Sequence, residues 1–303
     1  MGNKWHEIKQ NPEYLDARNE YFFNKKNIMD LCETLKINKG SKLKILDVGC
    51  GTGAFLNRLK YLFPHLVLFG IDNDEVMIDY ACNKYHNIDF SVQNALEMNF
   101  LDNSFDIVIN ITYLINEPNY DKAIEEMKRV LKKDGLLVSI APAALKPSFY
   151  EYGNYNKEIF DSEKMLRIEN LIYGNLLNSK IYKNVLNLGL HVSKTPITFA
   201  KHQFQNINVM SMGFVFSLSD TTINEKTKID YIMSVSDNKI NIVQKYIDYN
   251  QQSGNILSTV FMDNISEYIK MQKKWREFWL NNLNDNSIWE WYAESNIVVV
   301  ANK

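Results

Sequence analysis

The sequence predicts an α/β fold with a doubly wound, mostly parallel sheet. Between residues 40 and 142, short apolar runs alternate with segments whose apolar residues recur at helical spacing. The apolar runs lack the in-and-out alternation of half-exposed strands, which indicates strands buried on both faces. Strands that alternate with helices in this way pair in parallel and carry helices on both faces of the sheet.

A glycine turn follows the first predicted strand, residues 43–48. Residues 49–53 read GCGTG, and a helical pattern begins at Ala54. Glycine has no Cβ, so it tolerates positive φ and lets a ligand lie against the main chain. The free N–H groups at the start of the following helix face that ligand. The turn therefore predicts a binding site for a small, nucleotide-like molecule.

Two cofactors fit this turn. Gly49, Gly51 and Ala54 match the dinucleotide pattern G-x-G-x-x-A, and residues 47–53 equally match the D-x-G-x-G-x-G pattern of S-adenosylmethionine binders. The carboxylate of Asp47 would repel a pyrophosphate, but it suits a ligand that carries an ammonium and a sulfonium. On these residues the sequence resembles the class I S-adenosylmethionine-dependent methyltransferases of the small-molecule, ubiquinone- and menaquinone-biosynthesis-like type.

An acidic residue follows the second predicted strand, residues 66–71. Asp72 lies about twenty positions after the glycines, where the hydroxyls of a ribose need an acceptor. The alternative is that residues 72–74 only cap the next helix. The two interpretations are compatible, because Asn73 or Asp74 can cap the helix while Asp72 binds the ribose.

The third and fourth strands are predicted over residues 88–92 and 105–111, and the fifth over 136–141, after a helix over 120–131. Asn94 occupies the position where the resembled family usually has an aspartate that accepts from the adenine amino group. Its amide oxygen can also accept that bond, although a solvated loop asparagine is the alternative.

Ligands bind at the carboxyl ends of parallel strands, and the predicted site residues cluster at those ends. Tyr21 belongs to an N-terminal helical segment that folds over the cofactor in the resembled fold, and Cys50 is expected to be a small filler rather than a nucleophile. The cofactor-binding residues implied by the resemblance are Tyr21, Asp47, Gly49, Cys50, Gly51, Gly53, Asp72, Asn73, Asn94, Ala95 and Asn110.

The resemblance implies a Rossmann-like, seven-stranded sheet that ends in an antiparallel hairpin. We expect an N-terminal helical lid over residues 1–39 and a cofactor-binding core over 40–142. Mostly helical cap insertions are expected over 143–288, around a sixth strand at 207–218, and the final core strand lies within 289–303. Aromatic residues at helical spacing in the second insertion predict either core packing or an apolar acceptor pocket.

Methyl transfer from a sulfonium needs mainly in-line positioning of a nucleophile, so no catalytic triad is required. An oxygen acceptor of high pKa would still need a base, and Tyr113 and His191 are the candidate catalytic residues. Residues 110–113 read NITY and lack the two prolines of the N-P-P-Y motif of enzymes that methylate nucleic-acid bases. This departure disfavours a DNA adenine substrate.

Composition and charge indicate which classes of binding partner this protein has. The formal charge of −2 and the lack of a long basic run disfavour nucleic acid, and three cysteines without metal-ligand spacing predict no metal and a reducing cytoplasm. A signal peptide and a long apolar span are also missing from the pattern, so no membrane partner is expected. The predicted function is methyl transfer from S-adenosylmethionine to a small molecule. The alternatives are an RNA or protein methyltransferase, a non-catalytic S-adenosylmethionine-binding protein and, most weakly, a nicotinamide oxidoreductase.

Overall fold

A computed structural model of the chain describes residues 12–142, 150–152, 161–178, 189–221, 223–283, 285 and 290–303. The described residues form an eight-stranded sheet with helices on both faces. None of the described helices is long and apolar enough to cross a bilayer.

The sheet joins five parallel strands to an antiparallel region. The strands are β1 (Lys44–Val48), β2 (Val67–Asp72), β3 (Asp89–Val92), β4 (Phe105–Ile111), β5 (Leu131–Pro142), β6 (Tyr150–Tyr152), β7 (Gln205–Ser217) and β8 (Glu290–Asn302). Their order is β3-β2-β1-β4-β5-β8, and β6 and β7 both pair with β8. Strands β1 to β5 are parallel, whereas β8 is antiparallel to β5, β6 and β7.

Nine helices surround this sheet within the described residues. They are α1 (Pro12–Phe22), α2 (Lys25–Thr34), α3 (Ala54–Leu62), α4 (Glu75–Lys84), α5 (Tyr120–Val130), α6 (Ser162–Asn178), α7 (Thr195–Lys201), α8 (Glu225–Gln252) and α9 (Thr259–Asn282). Side chains of Asn224 and Ser258 cap the two longest helices, α8 and α9, by accepting hydrogen bonds from backbone N–H groups of their first turns.

Two hydrophobic clusters cover the two faces of the sheet. Successive residues of β4 alternate between them: Ile107 and Ile109 pack with α1, α2, α3, α8 and α9, whereas Val108 packs with α5 and α7. This alternation follows from the two-residue period of a strand. The central strands are therefore buried on both faces, as the apolar runs predicted.

The predicted fold class is confirmed, with two differences in the strands. Strand β5 begins at Leu131 rather than at residue 136, because residues predicted as a turn form a bulge where Leu131 pairs with Phe105 and Leu136 pairs with Ile107. The short strand β6 was not predicted. The terminal hairpin of β7 and β8 is long, since its pairing runs from Gln205 with Asn302 to Ser217 with Trp291.

The aromatic residues of the second insertion belong to the core. Tyr268, Trp275 and Trp279 are almost wholly buried, in the same cluster as the sheet face, and α9 packs against both α6 and α8. Core packing, the first of the two interpretations, is thus confirmed for these residues. Trp289 lies outside the described residues.

Candidate functional site

The glycine turn has the backbone that its sequence requires. Gly49, Gly51 and Gly53 all have positive φ angles, of 76°, 52° and 74°. The N–H groups of Gly49 and Cys50 both donate to the carbonyl of Ile71, at 2.8 and 2.9 Å. The turn is therefore attached to the end of β2, and glycine is the residue that adopts its left-handed conformation without strain.

The three glycines are needed for different reasons. A Cβ on Gly49 would lie 2.8 Å from Cδ2 of Tyr113, and one on Gly53 would lie 2.4 Å from Cζ of Phe90. A Cβ on Gly51 would meet no atom within 4 Å. Gly49 and Gly53 thus allow close packing, whereas Gly51 leaves an open space above the main chain where a ligand can lie.

Asp72 joins the glycine turn to the next helix. Its Oδ2 accepts from the N–H of Gly51 at 3.0 Å, and its Oδ1 accepts from the N–H of Asp74 at 3.0 Å. Asp74 caps α4 by accepting from the N–H of Val76 at 3.2 Å. Helix capping is therefore done by Asp74. The N–H of Asn73 also bonds the Asp72 carboxylate, which keeps about one of its roughly four acceptor positions for a ligand.

Two buried oxygens beside the turn lack partners. Asp47 in β1 is 1% exposed and its Oδ1 has no hydrogen bond, and Oγ1 of Thr52 is in the same condition. Burial, followed by the negative charge of Asp72, raises the pKa of Asp47 to about 8. Buried polar atoms without partners are costly, so a polar ligand with a cationic group fits this arrangement.

The loop after β3 supports the adenine prediction only in part. Asn94 is exposed and its Oδ1 accepts from the N–H of Leu96 at 3.0 Å, which leaves one lone pair on that oxygen. Asn73 is exposed, and Ala95 is buried. Burial and the charges of nearby carboxylates raise the pKa of the Cys50 thiol well above its ordinary value, as expected for a small filler.

Asn110 is buried at the end of β4 and bonded to the neighbouring strand β5. Its buried amide Nδ2 donates to the carbonyl of Val138 at 3.2 Å, and its Oδ1 accepts from Oγ of Ser139 at 3.1 Å. Each end of the amide thus makes one hydrogen bond to β5 and keeps capacity for a second. Asn110 ties the two central strands together, and its contact with the cofactor stays a prediction.

Tyr113 lies beside the turn, and its role as a base stays a prediction. Its ring covers Gly49, and its hydroxyl donates to Oε2 of Glu117 at 3.0 Å. Burial, and then the negative charge of Glu117, raise the pKa of Tyr113 far above its ordinary value. The hydroxyl therefore stays protonated at neutral pH, and Tyr113 forms a wall of the cleft.

His191 is exposed, and its Nδ1 accepts from the N–H of Ser193 at 3.3 Å and lies 2.8 Å from Oγ of that residue. The preceding residue, Leu190, donates to the carbonyl of Leu114 at 2.7 Å, so this segment runs along the turn after β4. The role of His191 as a base stays a prediction. The Tyr21 side chain lies outside the described residues, although its helix, α1, packs against α3 and α8.

Sequence reasoning assigned no role to Thr52, Glu117 or Gly189. Thr52 lies inside the glycine pattern, so its position alone could have drawn attention to it. Gly189 approaches the turn after β4 from a distant part of the chain, and no sequence pattern reveals that contact. Within the described residues, no group of three His, Cys, Asp or Glu side chains could hold a metal ion.

The sheet order, the terminal antiparallel hairpin and the glycine turn with its two flanking aspartates define a class I S-adenosylmethionine-dependent methyltransferase. S-Adenosylmethionine is the cofactor of this class. The family model described as a methyltransferase domain matches residues 39–233, and the chain belongs to this family.

Several known proteins are similar to parts of the chain. A demethylmenaquinone methyltransferase of Thermotoga maritima is 34% identical over 95 residues, which are 31% of this chain and 42% of that protein. One of Listeria welshimeri is 34% identical over 139 residues, 44% of this chain and 58% of that protein. The chain thus spans about half the length of these curated relatives.

A solved structure shares the fold. Phosphoethanolamine N-methyltransferase 2 of Haemonchus contortus, in complex with phosphomonomethylethanolamine and S-adenosylhomocysteine, is 15% identical with a TM-score of 0.50. The match covers 99% of this chain and 60% of that one. At this identity the likeness concerns the fold alone.

Proposed function

We propose that this protein transfers a methyl group from S-adenosylmethionine to a small-molecule acceptor. Two observations carry the proposal: the open space at Gly51, and the unpartnered buried oxygens of Thr52 in the same turn and of Asp47 in the strand before it. A ligand with an ammonium group and several hydroxyls supplies the partners that these oxygens lack.

We assign the cofactor contacts from the positions of the polar groups. Asp72 would accept from the ribose hydroxyls, and Asn94 would accept from the adenine amino group. Asp47 would pair with the ammonium, and the main chain of residues 49–53 would lie against the ligand. Asn73, Ala95 and Tyr21 would complete the enclosure.

The bound cofactor would supply a methyl carbon that is already activated by its positively charged sulfur. The protein then has to orient the two reactants and exclude water, and such positioning contributes roughly 7 to 11 kcal/mol. The rigid glycine turn, fixed by Ile71 and Asp72, and the wall formed by Tyr113 are suited to that role. His191 is the candidate base for an acceptor that must lose a proton.

Support for a small acceptor comes from the parts of the chain outside the core. We propose that residues 1–39 form a lid and that residues 143–288 form a mostly helical cap over the carboxyl ends of the strands. The similar proteins of Thermotoga maritima and Listeria welshimeri are named demethylmenaquinone methyltransferases, and we propose an acceptor of the same class for this chain. The carboxylates at the cleft disfavour RNA, and the free thiols of all three cysteines agree with a cytoplasmic location.

Two measurements test the proposal. Calorimetry should detect binding of S-adenosylmethionine and S-adenosylhomocysteine but not of NAD, and heat with NAD alone would refute the cofactor assignment. Incubation with methyl-labelled cofactor and a bacterial lysate should place the label in the organic-extractable fraction. Label in acid-precipitable RNA or protein would refute the small-molecule acceptor.

A further inference from the structure

The turn after β4 is held in a strained conformation. Thr112 has a φ of 56°, a left-handed region that β-branched residues rarely adopt. Its N–H donates to the carbonyl of Ile140 at 2.7 Å, and its own carbonyl accepts from Nδ2 of Asn116 at 2.6 Å. The surrounding structure, rather than the preference of Thr112, therefore fixes where the following residues lie.

This turn delivers a phenol and a carboxylate to the edge of the cofactor cleft. The ring of Tyr113 covers Gly49, and its hydroxyl donates to Oε2 of Glu117 at 3.0 Å. The other carboxylate oxygen, Oε1, accepts from the N–H of Asn119 at 2.8 Å. Hydrogen bonds thus orient both oxygens of the half-buried Glu117. Its carboxylate is bonded directly to the hydroxyl of Tyr113, whose ring covers Gly49.

A second segment, which contains Gly189 and Leu190, is hydrogen-bonded to the backbone of this turn. Gly189 donates to the carbonyl of Ile115 at 2.9 Å, and Leu190 donates to that of Leu114 at 2.7 Å. A Cβ on Gly189 would lie 2.2 Å from the carbonyl oxygen of Leu114 and 2.3 Å from that of Glu117. The backbone of Glu117 is therefore fixed by a segment more than 70 positions away in sequence.

The charges around Tyr113 are negative. The two charged groups that raise its pKa are Glu117, which accepts from its hydroxyl, and Asp72, which accepts from the N–H of Gly51. Among the described residues, no Lys or Arg contributes to the pKa shift of Tyr113 or of Asp47. In a partly buried cleft of reduced dielectric, uncompensated carboxylates favour a positively charged ligand over a neutral one of the same shape.

We propose that Glu117, oriented by Tyr113, selects the positively charged methyl donor over its neutral demethylated product. This inference rests on the proposed function. Methyl transfer breaks the carbon–sulfur bond, leaves the electron pair on sulfur and joins the methyl carbon to a nucleophilic atom of the acceptor. The positive charge that attracts Glu117 disappears with that step, so the protein holds the product less tightly than the donor. Tyr113 is a positioning residue in this scheme.

The test compares the dissociation constants of S-adenosylmethionine and S-adenosylhomocysteine by calorimetry on the full chain. Glu117→Gln keeps the size of the side chain and removes its charge, so we expect the preference for the donor to fall about three- to tenfold. Binding of S-adenosylhomocysteine should hardly change. Glu125→Gln removes an equal charge from an exposed position of α5 and should leave the preference as in the wild type, because solvent screens that charge.

Tyr113→Phe keeps the ring over Gly49 and removes only the hydroxyl that orients Glu117, so it should lower the preference by a smaller factor. An unchanged ratio in Glu117→Gln, or equal weakening of both ligands, would overturn the inference, because a purely structural role affects both alike. If the wild type bound neither ligand, the proposed function itself would fail. Circular dichroism and thermal melting verify that each variant is folded.

Discussion

The protonation of Asp47 predicts that cofactor binding releases a proton. The pKa of this carboxyl is raised to about 8 by burial and by the charge of Asp72, so most molecules without ligand carry the proton at pH 6.5. A ligand ammonium stabilises the carboxylate instead and lowers its pKa. Binding in slightly acidic solution must therefore expel the proton of Asp47.

The magnitude follows from the same pKa. At pH 6.5, about 1.5 units below the pKa, the carboxyl is roughly 97% protonated, so about one proton should leave per ligand bound. Affinity should be about 30-fold below its value for the ionised carboxylate and should fall tenfold for each further pH unit. The ligand's own α-amino group has a pKa near 8, so affinity should pass through a maximum there and decline above it.

Calorimetry at pH 6.5 in two buffers of different ionisation enthalpy measures this proton directly. For about one proton exchanged, the observed binding heats in the two buffers should differ by about the difference between the two buffers' ionisation enthalpies. Asp47→Asn keeps the size of the side chain but cannot titrate, so its binding heat should be the same in both buffers. Equal heats in the two buffers for the wild type would refute the reasoning.

Three further predictions concern single residues. Asp72→Ala should weaken binding of S-adenosylmethionine in calorimetry by about 1 to 3 kcal/mol, because the variant loses the carboxylate that would bind the ribose and that bonds to Gly51. An unchanged affinity would refute the assignment of Asp72 to the ribose. Gly51→Ala and Gly254→Ala place a Cβ in open space at positive φ, so both should lower the stability by about 1 to 2 kcal/mol, but only Gly51→Ala should abolish binding. Gly189→Ala should reduce the melting temperature because its Cβ meets backbone, whereas Gly174→Ala in α6 should stabilise by up to about 1 kcal/mol; equal effects would contradict the close approach at Gly189.

The donor half of the site could be predicted because its parts are local. The glycine turn, Asp47 and Asp72 all lie at the ends of neighbouring strands, and the conformation of the turn depends on residues within its own sequence. The parallel pairing of the first five strands follows from their alternation with helices. The apolar runs predicted burial on both faces. The start of β5 and the whole of β6 were not predicted, because a bulge and a three-residue strand have no distinct sequence pattern.

The part of the site after β4 depends on contacts between distant parts of the chain. The N–H of the left-handed Thr112 is bonded to Ile140, and Gly189 approaches the turn from within the insertion that precedes the sixth strand. A threonine in a strand-to-helix connection gives no sign that it is strained. The hydrogen bonding of Asn110 to β5 was equally hidden, because the position at the end of β4 does not say which way an amide turns.

The two electrostatic effects act on opposite ends of the same ligand and can be separated. Asp47 would face the ammonium, which is present in both the methyl donor and the demethylated product. A pH titration should therefore change the affinities of both ligands in parallel. Glu117 acts on the charge at sulfur, which only the donor carries, so Glu117→Gln should change one affinity and leave the pH dependence of both unaltered. A variant that changed the pH dependence and the donor preference together would show that the two carboxylates act as one coupled group.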